Sequence, residues 1–353
     1  MMFECISFIE HIESLHVKLK KGTYLLLIAE ETPFLDLPKI ADVRMCGAIF
    51  PRVIFEGKTY AKGIVVAKLK ESSTMHIVEM DAPQSYHAAK NTNAIFAIVD
   101  GFSSQIDDFV EAIYTNLPQN TKFIGSGSGK TSFIQEPVIL DNEHFYMNCA
   151  IIVASSMSIG IGVKHGWKSL VGPFIATQCN GTSLEKINYK DAFSIYQEAV
   201  EKDSDLRFET TPFFKISRRY PLGIIRYNKD FVVREPVRTD GKNLVVVGNL
   251  DENSVLSILK ADKEDLIQAA QEAAVHSRGV IEASEIESII VIDCVSRYLL
   301  LGDDFGEELQ AIASAYQKNT LMWGAISLGE IANTNQESIE FYNNTCVVGT
   351  FQK

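Results

Sequence analysis

The sequence predicts an α/β protein of the mixed α+β type, with two domains that are each a mixed, largely antiparallel sheet flanked by helices. At 353 residues the chain is longer than a single domain usually is. Short apolar runs typical of strands recur along it. They are joined both by hairpin turns and by amphipathic helices, a combination that favours mixed sheets. No heptad, low-complexity tract or solenoid period is visible in the sequence.

Strands dominate the first half of the chain. Apolar runs bounded by turn residues predict strands at residues 23–29, 45–51, 63–69, 94–99, 122–125, 137–140 and 145–154. Gly57 supports a hairpin between the second and third of these runs, and Ser103 or Ser104 can cap a helix over residues 105–116. The run that ends at Gly125 is predicted to enter a glycine-rich turn.

The second half alternates helices with strands. The spacing of apolar residues predicts helices at 189–202, 263–276 and 306–317, with Asp262 as the cap of the second. A strand from Ile175 turns at Asn180-Gly181, and a polar loop is expected at 201–211. Further strands are predicted at 222–227, 231–234, 243–248, 289–293, 321–326 and 345–351. The predicted division is an N-terminal extension at 1–19, a first domain at 20–187 and a second domain at 188–353.

The acidic composition argues against two classes of binding partner. The net charge of −12 and the pI of about 5.1 give a surface that repels phosphate backbones and anionic membranes, so we expect no nucleic acid and no membrane partner. The N-terminus lacks the pattern of a secretion signal. The uncharged run at 145–163 contains serines and glycines that suit buried strands better than a bilayer helix. These features predict a cytoplasmic protein.

The cysteines and histidines predict neither a disulfide framework nor a metal site. Six cysteines are scattered without a CxxC spacing, and seven histidines show no HxH or HxxxH pairing. We therefore expect reduced thiols that mostly pack as small apolar side chains, and no resident metal.

The glycine-rich segment at residues 125–131 resembles a phosphate-binding loop but lacks its spacing. Three residues separate Gly125 from Gly129, whereas the loop requires four before its Gly-Lys pair. No helix follows, and Pro137 would interrupt one. A flexible turn is the favoured interpretation, with backbone amides that line a ligand pocket as the lesser alternative.

Polar residues follow strand-like runs in the last sixty residues, and strand ends are where folds gather groups around a ligand. The candidate ligand-binding residues are Cys294, Arg297, Glu330, Asn343 and Asn344. Two interpretations of Arg297 and Glu330 stay open. They neutralise each other, or Arg297 clamps a carboxylate while Glu330 receives an amine, as an amino-acid site requires. For Cys294, packing or ligand lining is favoured over catalysis because no histidine base is close in sequence. Arg297 would have to lower the thiol pKa for catalysis.

The order of these motifs resembles the FIST family, bacterial sensory modules with an N-terminal and a C-terminal FIST domain. The motifs that carry the resemblance are Ile292-Asp293-Cys294-Val295-Ser296-Arg297, Leu301-Gly302, Phe305-Gly306-Glu307-Glu308-Leu309, Gly329-Glu330-Ile331 and Phe341-Tyr342-Asn343-Asn344-Thr345. The chain departs from the family pattern at Tyr342, where a histidine is expected, and at Ala332, where a glycine is expected.

The resemblance implies intracellular sensing of small ligands, with amino acids suggested, and some members resemble haem-based nitric-oxide sensors. We therefore expect a cytoplasmic, non-catalytic sensory protein that binds an amino acid or similar metabolite. Nothing in the sequence resembles an output domain, so the signal is expected to pass to a separate protein such as a histidine kinase or cyclase. One alternative is a haem-binding nitric-oxide sensor with His144, His165 or Cys294 as axial ligand. The other is a cysteine-dependent enzyme that uses Cys294.

Overall fold

The structure, a computed structural model, describes residues 2–34, 36–226, 230–333 and 339–353. Up to residue 164 the strands are β1 (Phe3–Ile9), β2 (Gly22–Ala29), β3 (Val43–Phe50), β4 (Arg52–Phe55), β5 (Lys58–Tyr60), β6 (Ile64–Leu69), β7 (Thr74–Glu79), β8 (Ala94–Asp100), β9 (Lys122–Ser128), β10 (Ile139–Asp141), β11 (Phe145–Tyr146), β12 (Cys149–Ser155) and β13 (Ile159–Lys164). Beyond it they are β14 (Lys168–Asn180), β15 (Ser183–Ile187), β16 (Lys190–Asp191), β17 (Leu222–Ile224), β18 (Val232–Arg234), β19 (Pro236–Thr239), β20 (Leu244–Val246), β21 (Val255–Lys260), β22 (Ile286–Cys294), β23 (Leu321–Ser327), β24 (Glu330–Ala332), β25 (Glu340–Tyr342) and β26 (Cys346–Gln352). The helices are α1 (Leu15–Lys18), α2 (Ile106–Thr115), α3 (Ala192–Asp203), α4 (Phe213–Ser217), α5 (Lys263–Arg278), α6 (Val295–Leu301) and α7 (Phe305–Ser314).

Three six-stranded sheets share one topology. Two parallel strands lie at the centre of each, two antiparallel strands extend one side, and a hairpin extends the other. The strand orders are β1-β6-β2-β3-β10-β11, β7-β12-β8-β9-β24-β25 and β13-β26-β22-β23-β4-β5. The chain thus repeats one structural unit three times, at residues 2–69, 74–155 and 159–353, and the third unit carries a long insertion.

Each unit contributes its hairpin to the sheet of another unit. The β4–β5 hairpin of the first unit pairs with β23 of the third. The β10–β11 hairpin of the second unit pairs with β3 of the first, and the β24–β25 hairpin of the third pairs with β9 of the second. The exchange closes a cycle, so every sheet is completed by residues from another unit.

The insertion in the third unit, residues 168–260, forms a sheet of its own. Its strand order is β18-β17-β21-β14-β15-β20-β19, and β16 pairs with β15. Helices α3 and α4 pack on this sheet through a separate core that includes Tyr196 and Ile216. We call residues 168–260 the insertion and the three repeated sheets the body.

Aromatic side chains from all three units meet at the centre of the body. Trp323 is fully buried, and its ring lies 5.3 Å from Phe3, 6.3 Å from Phe96 and 6.0 Å from Phe351. The same core takes alternate residues from the inner faces of the three sheets, while their outer faces pack on helices or loops. This alternation explains why so many strands are apolar along their whole length.

The predicted fold class is confirmed, because mixed sheets flanked by helices make up the described residues. Most predicted strands are present, and the turn at Asn180-Gly181 joins β14 to β15 as expected. The hairpin at Gly57 is present too, but its arms are β4 and β5 rather than the two longer runs, which flank β2 as β3 and β6. Residue 227, the predicted end of one strand, and residue 1 of the predicted extension lie outside the described residues.

The predicted glycine-rich turn at Gly125 is wrong, because β9 continues through this segment to Ser128. The glycines are required for close packing. A Cβ on Gly125 would lie 2.7 Å from the carbonyl oxygen of Ala97, and one on Gly127 would collide with the carbonyl group of Leu328. Glycine in a strand interior often marks such a close backbone approach.

Pairing crosses the sequence position at which the two predicted domains meet. Strands β14 and β15 precede residue 188 in the sequence, and they pair with β21 and β20, which follow it. The predicted extension contains β1, which pairs with β6. Across the described residues, no helix combines the length and apolar character needed to span a bilayer.

Candidate ligand-binding site

A cavity of about 560 Å³ lies between the body and the insertion. The body lines it with the segment 101–107 at the start of α2, with Cys294 at the end of β22, and with Leu328, Gly329, Phe341 and Asn343. The insertion lines it with Glu235, Val237 and Arg238 and with residues 245–249. A concave, largely apolar space with a few polar groups at a junction of two bodies is the usual form of a small-molecule site.

Hydrogen bonds hold the two sides of the cavity together around its edge. The backbone N–H of Asn249 donates to Oδ2 of Asp107 at 2.8 Å, and Nη1 of Arg234 donates to the carbonyl oxygen of Phe341 at 3.0 Å. Nδ2 of Asn343 lies 3.4 Å from the carbonyl oxygen of Val247. These hydrogen bonds join the insertion to the body on different sides of the cavity.

Glu235 is the buried acidic group of the cavity. Its side chain is 5% exposed, and the hydroxyl of Ser296 donates to its Oε2 at 2.6 Å. Its Oε1 makes no hydrogen bond of standard geometry to a described residue, although the side-chain amide of Asn344 lies close to the carboxyl group. Burial raises the pKa of Glu235 to about 7, against hydrogen bonding by Ser296, the nearby amide of Asn344 and the charge of Arg218, which lower it. A buried carboxyl oxygen without a standard hydrogen bond is costly, which makes Glu235 a candidate for contact with a ligand in this cavity.

Arg238 supplies a cation to the same cavity from its exposed edge. The pairing of β19 with β20 shifts register between Pro236 and Arg238. An extra residue in one strand re-aims the side chains that follow it, which explains how Glu235, Val237 and Arg238 all line one space. Glu235 and Arg238 are not among the residues predicted from the sequence, because Arg234-Glu235-Pro236 resembles the ordinary residues at the end of a strand.

Glu330 lies within the body, is fully buried, and does not line the cavity. The hydroxyl of Ser327 donates to its Oε1 at 2.6 Å, and the backbone N–H of Thr345 lies 3.3 Å from its Oε2. Burial raises the pKa of Glu330 to about 8, although these hydrogen bonds and the charge of Arg297 lower it. The proposed reception of an amine by Glu330 stays a prediction.

The turn before β26 places the two predicted asparagines differently. Asn343 lines the cavity, whereas Asn344 is fully buried beneath it. Asn344 has a φ of +55°, a conformation that asparagine tolerates, and its carbonyl oxygen accepts a hydrogen bond from Nε1 of Trp167 at 3.0 Å. Neither polar atom of its side chain makes a standard hydrogen bond to a described residue. The amide of Asn344 thus lies behind the cavity wall, close to the carboxyl of Glu235.

Cys294 lines the cavity at the junction of β22 and α6. Catalysis by Cys294 would require that a cation such as Arg297 lower the pKa of this thiol. Burial raises its pKa well above the usual value, and the charges of Glu330 and Glu235 raise it further, while the backbone N–H groups of Ser296 and Asn344 act in the opposite direction. The thiol is therefore protonated near neutral pH and suited to lining the cavity.

Arg297 is fully buried in the body and turned away from the cavity. Its Nε donates to Asp293 at 3.0 Å, and its Nη2 donates to Glu308 at 2.6 Å. Its other bonds go to the carbonyl oxygens of His165, at 2.8 Å, and Leu266, at 3.1 Å. Neutralisation of Arg297 thus comes from Asp293 and Glu308 rather than from direct pairing with Glu330, and a carboxylate clamp by Arg297 stays a prediction.

The groups considered for haem or metal binding are dispersed. His144 lies in the β10–β11 turn and His165 in a separate small cleft, so of the three proposed axial ligands only Cys294 lines the main cavity. Among the described residues, the side chains of Asp293, Glu308 and Cys346 bring potential metal-ligand atoms within 4.8 Å of one another. Arg297 already supplies the positive charge at that point.

A cavity between two bodies, with an acid at its buried side and a cation at its edge, has the form that small-molecule-binding proteins use. Comparison with protein families agrees with this class. Residues 38–190 match the FIST N domain and residues 192–333 match the FIST C domain. The chain belongs to the FIST family of sensory and signalling proteins. None of the curated proteins compared with the chain matches it.

Proposed function

We propose that this protein is a cytoplasmic sensor that binds an amino acid or a similar amine-bearing metabolite in the cavity between the body and the insertion. The observation that supports the proposal is the buried carboxyl of Glu235 in the wall of that cavity, whose Oε1 makes no hydrogen bond of standard geometry to a described residue. An ammonium group donates to this oxygen and keeps Glu235 ionised, because a nearby cation stabilises the charged carboxylate.

Arg238 is the second charged residue of the proposed binding site. A guanidinium at the edge of the cavity is suited to the carboxylate of an amino acid, which it binds through two parallel hydrogen bonds. We assign the amine and the carboxylate to Glu235 and Arg238 rather than to Glu330 and Arg297, since the latter two already bond to protein groups.

Binding would be read out through the arrangement of the two bodies. A ligand held by Glu235 of the insertion and by Cys294 and Asn343 of the body interacts with both sides at once. It therefore favours the arrangement in which the two sides are correctly spaced, and a ligand shifts an equilibrium only through such a difference in affinity. The signal passes from there to a separate output protein, for which a histidine kinase or a cyclase is the candidate implied by the family.

The test is calorimetric titration of the full chain with amino acids and simple amines. We expect saturable binding by wild type, and about a thirtyfold or larger loss of affinity in Glu235→Gln, because truncating one partner of a buried charge pair is costly. Glu198→Gln is the matched control, since Glu198 lies on an exposed face of α3 in the same insertion and pairs with Lys202. Absence of binding to wild type, or equal affinity in Glu235→Gln, would contradict the proposal. Titration with haem and a search for a Soret band tests the alternative sensor on the same sample.

A further inference from the structure

Three phenylalanines form one wall of the cavity. Phe102 follows β8, Phe133 lies in the loop between β9 and β10, and Phe214 belongs to α4 of the insertion. The ring centroids of Phe102 and Phe133 are 6.3 Å apart, and those of Phe133 and Phe214 are 5.6 Å apart, both in edge-to-face arrangements. We call these three residues the aromatic wall. Phe133 is its middle member and joins the body to the insertion.

Phe133 is held in an unfavourable backbone conformation. Its φ is +54°, which is rare for a bulky side chain, and its side chain is 42% exposed. Contacts on both sides fix the loop, because the N–H of Thr131 donates to Glu30 at 2.6 Å and Nε2 of Gln135 donates to Oδ2 of Asp100 at 2.8 Å. Strain of this kind persists where surrounding structure imposes it, and it is concentrated at ligand sites. The conformation directs an aromatic ring to the cavity instead of to the core.

The aromatic wall carries no polar side-chain group, so it suits the apolar part of a ligand. Glu235 accepts the amine at the buried side and Arg238 lies at the edge, whereas the aromatic wall offers ring faces and edges only. Aromatic rings pair best with other rings in offset or edge-to-face geometry. The cavity of about 560 Å³ also leaves room beyond the amine and carboxylate for a large substituent.

We propose that the site is selective for primary amines that carry an aromatic ring, such as aromatic amino acids, over small aliphatic or polar ones. This inference rests on the proposed function, since it names the class of ligand for the same cavity. Glu235 receives the ammonium group and the ring of the ligand packs against Phe133 and its two neighbours. Phe133 is thereby a specificity-determining residue.

The experiment is calorimetric titration of the full chain with L-phenylalanine, phenethylamine, L-alanine and choline. We expect L-phenylalanine to bind at least about thirtyfold more tightly than L-alanine, because the ring buries a large apolar area. Phe133→Ala and Phe214→Ala should each weaken L-phenylalanine binding by about three- to tenfold and weaken L-alanine binding less than that. Phe145→Ala is the matched control, because Phe145 is 38% exposed and does not line the cavity.

Phe133→Gly separates a role in specificity from a role in folding. Glycine adopts a positive φ without strain, which offsets part of the stability lost with the two ring contacts, so this variant should melt at least as high as Phe133→Ala while it still loses affinity for L-phenylalanine. Equal binding of L-alanine and L-phenylalanine, or tighter binding of choline, would overturn the selectivity but leave a ligand site in place. Failure of every amine to bind wild type would instead remove the proposed function, and the selectivity with it.

Discussion

Nη1 of Arg297 donates to the carbonyl oxygen of His165 over 2.8 Å, and His165 lies where the chain leaves the body to enter the insertion. Nη2 of the same guanidinium donates to Leu266, just after the chain has returned. Arg297 therefore fixes both crossings between the two bodies. It also follows Cys294 of the cavity by less than one helical turn, so the cavity and the crossings share one rigid support.

Arg297→Lys should lower the free energy of unfolding by about 2–3 kcal/mol, because lysine keeps the charge but loses the planar set of donors. Arg297→Met should cost more, about 3–5 kcal/mol, since Asp293 and Glu308 are then left buried without a cation. Urea unfolding followed by circular dichroism measures both, with Arg219→Lys on an exposed position as control. If Arg297 clamps the ligand directly, folded Arg297→Lys will instead show a large loss of affinity at nearly normal stability.

Ligand affinity should depend on pH through Glu235. Its pKa of about 7 in the free protein means that the carboxyl is largely protonated at pH 6, and an ammonium ligand must displace that proton. Affinity for an amine should therefore rise about tenfold from pH 6 to pH 7.5 and then level off. Calorimetry in buffers of different ionisation enthalpy should detect the released proton. In Glu235→Gln the residual binding should be independent of pH over this range, and a persisting slope would assign the titration to another group.

Stability without ligand should fall as pH rises from 5 to 8.5. Glu235 and Glu330 have pKa values of about 7 and about 8 in the folded protein, above the usual value for an unfolded chain. The folded state thus binds more protons in this interval, and its stability is lost as pH rises through these values. Glu330→Gln should flatten the dependence of the melting temperature on pH, whereas Glu198→Gln should leave it as in wild type. An unchanged slope in Glu330→Gln would mean that Glu330 is not the titrating group.

Cys294 should be among the slowest cysteines to react with iodoacetamide at pH 7.5. Its raised pKa leaves little thiolate, and its side chain is 3% exposed, whereas Cys5 is exposed. Peptide mass spectrometry after timed labelling should find Cys5 modified first and Cys294 modified together with the buried Cys346, mainly on unfolding. Selective early labelling of Cys294 would revive the enzyme alternative.

The two halves of the chain should not fold separately. Residues 1–190 contain β4, β9 and β13, whose partners β23, β24 and β26 lie in the other half. Each half expressed alone should therefore lack a cooperative urea transition, because unpaired strand edges and exposed core residues remain. A cooperative transition for either half, comparable to that of the full chain, would show that the exchanged hairpins are dispensable.

Most of the strands and helices could be predicted from the sequence. The strand predicted at 94–99 is β8, and the helix predicted at 263–276 is α5, because apolar runs and helical spacing report burial directly. The error at Gly125 had a specific cause. Glycines are read as turns, but here they allow β9 to lie against backbone atoms of Ala97 and Leu328, which are distant in sequence.

Only some of the residues that line the cavity were predicted from the sequence. Cys294 and Asn343 line the cavity, whereas Arg297 lies behind it, and a role of any of the three in ligand binding stays a prediction. Glu235 was not predicted as a site residue, because no neighbouring residue in the sequence shows whether its carboxyl group is paired. Its role depends on Ser296, 61 residues away, and on a space formed by another part of the chain.

The sequence by itself determined most of the strands and helices and the family that the motifs resemble, since both depend mainly on the order of neighbouring residues. Only the tertiary structure decided that three units exchange hairpins in a cycle and that the insertion covers the end of β22. Backbone pairing and burial act between residues that the chain brings together from far apart. For that reason the partner of each hairpin, and the exposure of each charge, became defined only when the whole chain had folded.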